Sequence, residues 1–271
     1  MEPTVETSVA VVILTLNEEF NVEAAIASVR EWGARVVVVD SGSTDETVTR
    51  AQSAGAIVLT RIPENGFLIA EQRTWALKEL AAMGVTWVLF LDADERATPG
   101  FLHEVSAAIA SGTCDGYYAA PMFMYQGTWL KRFKGYPNWH PRIARTSVEI
   151  AGSVWEDFPA GVDTGKIAEP YIHFVNSKGL SDWVGRHARY ATWEAHSRKS
   201  GEAERHRALR TIGRTLGPLR PFAAMFHHLI LRGGILDGGS VWSYARRQFI
   251  YELMIVEARR ERLADSRALP R

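Results

Sequence analysis

The stretch V-A-V-V-I-L-T-L-N-E-E, from Val9 to Glu19, joins an apolar, β-branched run to an acidic cluster. The pattern recurs in V-V-V-V-D-S-G-S-T-D, which ends at Asp45, and in W-V-L-F-L-D-A-D-E, which ends at Glu95. Continuous apolar runs of this length are typical of buried parallel strands. Because ligands bind where the carboxyl ends of such strands meet, we expect all three clusters at one edge of a sheet.

Strand and helix patterns alternate up to about Ile109, which predicts an α/β fold with a doubly wound sheet. The predicted strands are Val9 to Leu14, Val36 to Val39, Ala56 to Thr60 and Trp87 to Leu91. The predicted helices are Val22 to Trp32, Asp45 to Ala54, Leu68 to Ala82 and Gly100 to Ile109. From Tyr117 to His173 the chain is rich in Trp, Tyr, Gly and Pro, as in an antiparallel extension with long loops.

Five carboxylates are expected at the sheet edge: Glu18, Asp40, Asp45, Asp92 and Asp94. They would repel one another unless a divalent cation and donor groups of a ligand offset their charge. Oxygen ligands suit Mg²⁺ and Mn²⁺, and no cluster of Cys and His competes as a zinc site. The motifs therefore predict a site for a metal and a nucleotide.

The order of the three motifs resembles the family 2 glycosyltransferases of the GT-A fold. The G-G-I-L-D-G stretch from Gly233 to Gly238 is also similar to a C-terminal segment of bacterial lipopolysaccharide-core glucosyltransferases. The resemblance implies a Rossmann-like, doubly wound mixed sheet with a helical C-terminal extension. It also implies inverting transfer from a nucleotide sugar, with a UDP-sugar as the expected donor.

The resemblance further assigns roles to individual residues. The D-x-D pair would hold Mn²⁺ or Mg²⁺ at the diphosphate, with Asp94 as the more direct ligand and Asp92 also near the ribose. The run from Phe67 to Leu77 resembles a family segment reading Q-R-N-x-A, although Thr74 replaces the Asn. Arg73 would face the diphosphate or the base, or it is a solvated surface charge. The residues implied to bind the nucleotide sugar are Thr15, Asn17, Glu18, Asp40, Gln72, Arg73 and Asp92.

The stretch G-S-V-W-E-D-F, from Gly152 to Phe158, matches a later landmark of the family. An acceptor hydroxyl needs a base to take its proton, and a carboxylate in a partly dry pocket suits that role. Glu156 is the first choice and Asp157 the competitor, while two surface loop charges are the alternative to both. His173 is the candidate third metal ligand or a structural histidine, and His140 is a candidate support for the acceptor loop.

Composition narrows the expected setting of the protein. A single cysteine, Cys114, excludes an internal disulfide framework and favours a reducing compartment. The polar, acidic start predicts no signal peptide, and no uncharged apolar run is long enough for a membrane span. We therefore expect a cytoplasmic protein, either free or peripheral at the inner face of the cell membrane. The basic residues lack a recognisable nucleic-acid-binding module.

The predicted domains are 1–178, a GT-A catalytic domain, and 179–271, a basic helical extension. Within the first, 1–112 would bind the nucleotide sugar and 113–178 the acceptor. From Leu180 onward there are 17 Lys and Arg against 9 Asp and Glu. The apolar run from Pro218 to Leu236 is flanked by Arg, as in a segment at a membrane interface.

Two interpretations of the extension remain open. Either its apolar faces pack on the catalytic domain or a second subunit, as in a homo-oligomer, or its helices hold an anionic bilayer that presents a lipid-linked acceptor. A stripe at helical spacing comprises Trp242, Ala245, Phe249, Leu253 and Val256.

The sequence thus predicts an inverting, metal-dependent glycosyltransferase that acts on a glycan or lipid-linked acceptor of cell-envelope polysaccharide or lipopolysaccharide. Transfer to a polyprenyl phosphate and a non-catalytic nucleotide-sugar-binding module are the alternatives.

Overall fold

The computed structural model describes residues 8–63, 68–152, 156–196 and 217–268. The chain divides into two compact units. The first comprises Met1–Met122 with Tyr136–Phe174, and the second comprises Phe123–Gly135 with Val175–Arg271.

The strands and helices follow the predicted alternation. The strands are β1 Val9–Thr15, β2 Arg35–Asp40, β3 Ile57–Thr60, β4 Trp87–Asp92, β5 Glu95–Arg96, β6 Gly116–Tyr125, β7 Thr128–Trp129, β8 His140–Arg145, β9 Ala151–Gly152, β10 Glu156–Asp157 and β11 Thr164–Phe174. The α-helices are α1 Val22–Ala27, α2 Thr47–Ser53, α3 Ile69–Ala82, α4 Pro99–Ser111, α5 Gly179–His196, α6 Arg220–Phe226 and α7 Ser240–Ala268.

The main sheet has the strand order β3-β2-β1-β4-β8-β6-β11-β5, with β7 paired to β6. Strand β1 runs parallel to both β2 and β4, whereas β8 is antiparallel to β4 and to β6. The register sets Thr15 beside Asp40 and Leu14 beside Asp92. The predicted α/β fold with a mixed sheet is confirmed, and the ends of the three motifs meet at one sheet edge.

Helices cover both faces of the parallel strands, which explains why these strands are apolar throughout. On one face, Val11 and Ile13 pack in a cluster with Val22 of α1 and Phe101 of α4. On the other face, the alternate positions of β1 pack with residues of α3, including Leu77. The period-two alternation of a strand therefore sends neighbouring apolar residues to two different cores.

The second unit differs from the predicted domain boundary. The segment Phe123–Gly135 belongs with the C-terminal helices rather than with the first unit, and the boundary falls after Phe174 instead of at residue 178. The physical reason is a shared apolar cluster, which comprises Phe123, Tyr125, Leu130, Phe133, Val241, Tyr244 and Ala245.

Of the stripe predicted on the last helix, Ala245 is buried within the unit, whereas Trp242 and Leu253 are exposed. The buried side of α7 is formed by Val241, Tyr244, Ala245, Glu252 and Ile255. Across the described ranges, we find no helix with both the length and the hydrophobicity needed to cross a membrane.

Candidate active site

The carboxylate of Asp40 organises the loop that follows β2. Thr15 Oγ1 donates a hydrogen bond of 2.9 Å to Asp40 Oδ1, and the amides of Gly42 and Ser43 donate to Asp40 Oδ2 at 3.0 and 2.8 Å. Gly42 has a φ of +94°, a conformation that glycine adopts without strain. The buried charge of Asp40 is therefore offset by hydroxyl and amide donors of its own loop and of β1.

The loops after β1 and β2 are joined by reciprocal hydrogen bonds. The amide of Asn17 donates to Ser43 Oγ at 2.8 Å, and the amide of Thr44 donates to Asn17 Oδ1 at 2.8 Å. The amide of Glu18 donates to Thr47 Oγ1 at 2.7 Å. Asn17 has a φ of +55°, a left-handed conformation in which Asn is enriched. The first two acidic motifs thus form one connected surface.

Arg73 of α3 lies fully buried between two carboxylates. Its Nη2 is 2.7 Å from Asp92 Oδ1, and its Nη1 is 2.7 Å from Glu156 Oε2. Nη1 also approaches the carbonyl of Pro141, and the guanidinium lies over the ring of Phe90. The interpretation of Arg73 as a solvated surface charge is therefore wrong. Its buried position follows from α3, whose apolar side packs on the sheet.

A second buried arginine, Arg142, extends this network. Its Nη2 lies 2.7 Å from Glu95 Oε1 and 3.4 Å from Asp92 Oδ2, and its Nε donates to the Tyr171 hydroxyl at 2.8 Å. Sequence reasoning missed both Arg142 and Glu95 as site residues. Both lie next to candidate residues in the sequence: Glu95 directly follows Asp94, and Arg142 lies two residues after His140. Two buried arginines therefore offset part of the negative charge that was expected to need a divalent cation.

The two carboxylates that contact Arg73 have opposite electrostatic properties. Burial disfavours the charged form of Asp92, but Arg142 and Arg73 outweigh burial and hold the pKa of this carboxyl well below its usual range. Burial raises the pKa of Glu156, and Arg73 and Arg142 offset this effect only in part. Glu156 Oε1 is buried and accepts no hydrogen bond in the described structure. Glu156 therefore has the properties of a proton acceptor, and Asp92 those of a fixed anion.

Asp94 and His173 lie close together beside this network. Nε2 of His173 is 3.6 Å from Asp94 Oδ2, and Nδ1 of His173 is 3.2 Å from Glu95 Oε1. The pairing of β11 with β5 aligns His173 with Glu95. Burial lowers the pKa of His173, but Asp94 and Glu95 outweigh it and raise the pKa above its ordinary value. The local potential is thus negative, as a cation site requires.

A divalent cation fits this pair. Asp94 Oδ2 and Nε2 of His173, which are 3.6 Å apart, could both contact one divalent cation. Asp92, in contrast, is held by the two arginines. Among the residues that the structure describes, no group of three or more His, Cys, Asp or Glu is arranged to hold a metal. The structure therefore brings Asp94 and His173 together.

The remaining predicted residues lie around the same edge. Gln72 is buried, and its Nε2 donates to the carbonyl of Arg61 at 3.2 Å. Asp157 accepts hydrogen bonds from the Tyr118 hydroxyl and from the amide of Phe158. Oδ1 of Asp157 thus accepts two hydrogen bonds, whereas Oε1 of Glu156 accepts none from the described residues. Ser153 to Trp155, within the same landmark, lie outside the described residues.

His140 begins β8, beside the same cluster of charges. Burial, together with the positive charge of Arg142, lowers the pKa of His140 to about 3. The imidazole is therefore neutral at physiological pH, so it can support neighbouring groups through hydrogen bonding but adds no charge.

Comparison with known proteins identifies relatives of this chain by sequence. An uncharacterized glycosyltransferase of Rickettsia typhi is 37% identical over 119 residues, which are 42% of this chain and 38% of the relative. One from Rickettsia bellii is 38% identical over 107 residues, or 40% of this chain and 34% of the relative. The matched region thus spans well under half the length of these relatives.

Two solved structures show a more distant likeness. Glucosyl-3-phosphoglycerate synthase from Mycobacterium tuberculosis, in complex with Mn²⁺, uridine diphosphate and phosphoglyceric acid, is 22% identical with a TM-score of 0.40, covering 52% of this chain and 57% of that one. A mycobacterial protein is 20% identical with a TM-score of 0.46, covering 62% and 67%.

The model of glycosyl transferase family 2 matches residues 10–156. This range begins in β1, contains all three acidic motifs and ends at Glu156. Because the match covers more than half of the chain, the chain belongs to glycosyl transferase family 2.

Proposed function

We propose that this protein is an inverting, metal-dependent glycosyltransferase that moves a sugar from a UDP-sugar to a hydroxyl group of a glycan or lipid-linked acceptor. Its role would lie in the synthesis of cell-envelope polysaccharide or lipopolysaccharide. One observation carries the proposal: the side chain of Glu156 is buried, its Oε2 is held by Arg73, and its Oε1 has no hydrogen-bond partner among the described residues.

The joined loops after β1 and β2 would receive the nucleoside. Asp40 and Thr15 form the base of this surface, and Asn17 and Glu18 form its rim. The carboxylate of Asp40 shapes the loop through its amides, so a change at this residue would weaken nucleotide binding by moving the loop. Gln72 packs behind the same surface.

Asp94 and His173 would hold Mn²⁺ or Mg²⁺, which offsets the negative charge that develops on the leaving diphosphate. Arg73 and Arg142 keep Asp92 ionised and fix the turn that carries Asp94. These two arginines also place fixed positive charge near the departing group, where preorganised charge stabilises a transition state without reorganisation.

Glu156 would act as the general base through Oε1. The acceptor oxygen attacks the anomeric carbon as its proton passes to Oε1, and the bond between that carbon and the diphosphate oxygen breaks with its electron pair leaving on the nucleotide. Attack opposite the leaving group inverts the configuration. A pKa raised by burial brings Glu156 closer to working pH, which favours proton transfer.

The unpartnered oxygen also bears on the alternatives. A polyprenyl phosphate acceptor is already ionised and needs no general base, whereas a hydroxyl acceptor does. A non-catalytic binding module would not need a buried carboxylate oxygen kept without a partner, since such an oxygen costs stability. Both arguments favour transfer to a hydroxyl group.

Calorimetric binding of UDP, GDP, CDP and dTDP, with Mn²⁺ and again with a chelator, tests the donor site. We expect binding of UDP that depends on Mn²⁺, followed by sugar transfer when the matching UDP-sugar and an acceptor are supplied. Asp115→Asn, at an exposed carboxylate paired with Arg145, is a matched control for Asp94→Asn. Failure of every nucleotide to bind under both conditions would overturn the proposal.

A further inference from the structure

Helix α6 and the π-helical turn His227–Leu231 that continues it carry apolar residues on two adjoining sides. On the inner side, Met225 and Leu229 pack against the apolar cluster of the second unit. On the outer side, Phe222, Phe226 and Ile230 follow one another at intervals of four residues and are 63, 56 and 54% exposed. Large apolar side chains that stay exposed beside the packed side are typical of a surface that contacts a partner or a membrane.

The outer side continues onto α7 within the same unit. The ring of Phe222 lies 5.2 Å from that of Phe249 on α7. Next to Phe249 along the helix is the exposed Ile250, and Trp242 and Arg246 lie two turns and one turn earlier on the same side. We call this surface the outer face, and its apolar members are Phe222, Phe226, Ile230, Trp242, Ile250 and Leu253.

Basic residues outnumber acids around the outer face, where Glu252 is buried and Glu257 is paired with Arg260. Between Gly217 and Tyr251 the sequence contains a single acid, Asp237. Its carboxylate is 1% exposed and accepts hydrogen bonds from the amides of Arg132 and Phe133. The charged residues of this span that are exposed are Arg232 and Arg246. An apolar surface with exposed arginines is complementary to an anionic bilayer, whose surface attracts basic side chains.

We propose that the outer face docks on an anionic lipid surface, with Phe222, Phe226 and Ile230 entering the headgroup region and Arg232 and Arg246 contacting lipid phosphates. Trp242 would lie at the level of the headgroups, where tryptophan is enriched. The proposal requires neither donor nor acceptor, so it stands or falls separately from the proposed transferase activity.

Sedimentation of the full-length protein with vesicles, in the absence of nucleotide, tests this surface. We expect binding to vesicles of phosphatidylcholine with phosphatidylglycerol, weaker binding to phosphatidylcholine alone, and loss of the difference at high salt. Phe226→Ser should lower the partition coefficient at least about tenfold. Arg246→Ser should lower it about fivefold on anionic vesicles and little on neutral ones.

Matched controls come from the first unit. Phe20 is 76% exposed, and Phe20→Ser removes an equally large apolar side chain without changing the outer face. Arg35 is exposed, and Arg35→Ser removes the same charge as Arg246→Ser. Both control variants should bind vesicles like the unchanged protein. Thermal unfolding of each variant verifies that the fold is retained.

A local readout identifies the surface that enters the lipid. Brominated lipids quench tryptophan fluorescence at short range, so they should quench the unchanged protein more than Trp242→Phe. No sedimentation with anionic vesicles, or equal losses in Phe20→Ser and Phe226→Ser, would overturn the proposal. A dimer in light scattering that Phe226→Ser dissociates, without vesicle binding, would assign the outer face to a second copy of the chain instead.

Discussion

Arg73 Nη1 lies 2.7 Å from Glu156 Oε2, although the two residues are 83 positions apart in the sequence. The same guanidinium is 2.7 Å from Asp92. One buried cation therefore connects the candidate base to the acidic motif at the end of β4. Removal of Arg73 would take the adjacent cation from Glu156 and one of two from Asp92, and this linkage makes the network open to experiment.

Glu156→Gln should lower kcat for sugar transfer by about 10²–10⁴-fold, because the amide cannot accept the acceptor's proton. The KM for the donor should change little, since the side chain keeps its size. Steady-state kinetics with a UDP-sugar measure both. Asp157→Asn is the control, and it should cost far less. A greater loss of kcat in Asp157→Asn than in Glu156→Gln would transfer the role of base to Asp157.

Arg73→Met should lower the free energy of unfolding by about 3–5 kcal/mol, because it leaves the buried carboxylate of Glu156 without its adjacent cation. Urea denaturation measures the change. In the double variant Arg73→Met with Glu156→Gln, one of the stranded charges is also gone, so part of the stability should return. Strict additivity of the two changes would contradict a direct interaction between the residues.

Asp94→Asn should weaken Mn²⁺-dependent binding of UDP at least about tenfold, because a neutral amide is a poorer ligand for a hard cation than a carboxylate. Calorimetry of Mn²⁺ and UDP binding gives a readout that does not depend on turnover. His173→Gln should weaken metal binding in the same direction. Unchanged metal-dependent binding in both variants would remove Asp94 and His173 from the metal site.

Asp237→Ala should lower the free energy of unfolding by about 1–3 kcal/mol, since it removes a charged acceptor from two amides. Asp237 is the acid of the G-G-I-L-D-G stretch. Gly234 in the same stretch has no room for a side chain. A Cβ on Gly234 would lie 2.5 Å from the carbonyl oxygen of His228. Asp163→Ala, at an exposed position, is the control and should stay within about 0.5 kcal/mol.

Stability should fall as the pH drops from about 6.5 to 4, in part because of His228. Burial, and to a lesser extent the charge of Arg232, lowers the pKa of His228 to about 4. His227 and Lys134 add to this effect, and the carbonyl of Phe133, which accepts a hydrogen bond from Nδ1, opposes it. Between these pH values the unfolded chain binds the proton more readily than the folded chain, so protonation favours unfolding.

Urea denaturation at several pH values measures this slope. His228→Asn keeps a donor for the carbonyl of Phe133 and removes the titrating ring, so its stability should depend less steeply on pH over that window. An equal slope in His228→Asn and the unchanged protein would show that His228 does not contribute.

Much of the first unit follows from local sequence pattern. The runs of Val, Ile and Leu predicted the four parallel strands to within one or two residues of their ends, because a strand buried on both faces must be apolar throughout. Helix α2 is one exception. It begins at Thr47 and not at Asp45, because Asp45 accepts hydrogen bonds from the amides of Thr47 and Glu19.

The sequence did not predict which basic residues pair with the carboxylates of the site. Arg142 and Arg73 lie in segments distant from Asp92, so their pairing with this carboxylate could not be predicted from local pattern. The antiparallel pairing of β8 with β4 and the packing of α3 on the sheet bring them together. The same reason applies to Phe123–Gly135, whose apolar residues find their partners more than a hundred positions later.

By itself the sequence determined the α/β class, the three acidic motifs that follow the parallel strands, and the family. These depend on periodicity and on motifs that are local in the chain. The tertiary structure alone decided which carboxylate is compensated by arginine, which oxygen of Glu156 stays unpartnered and which side of α6 is exposed. These properties depend on distances and burial between segments far apart in sequence, and charge interactions in a protein interior are set by those distances.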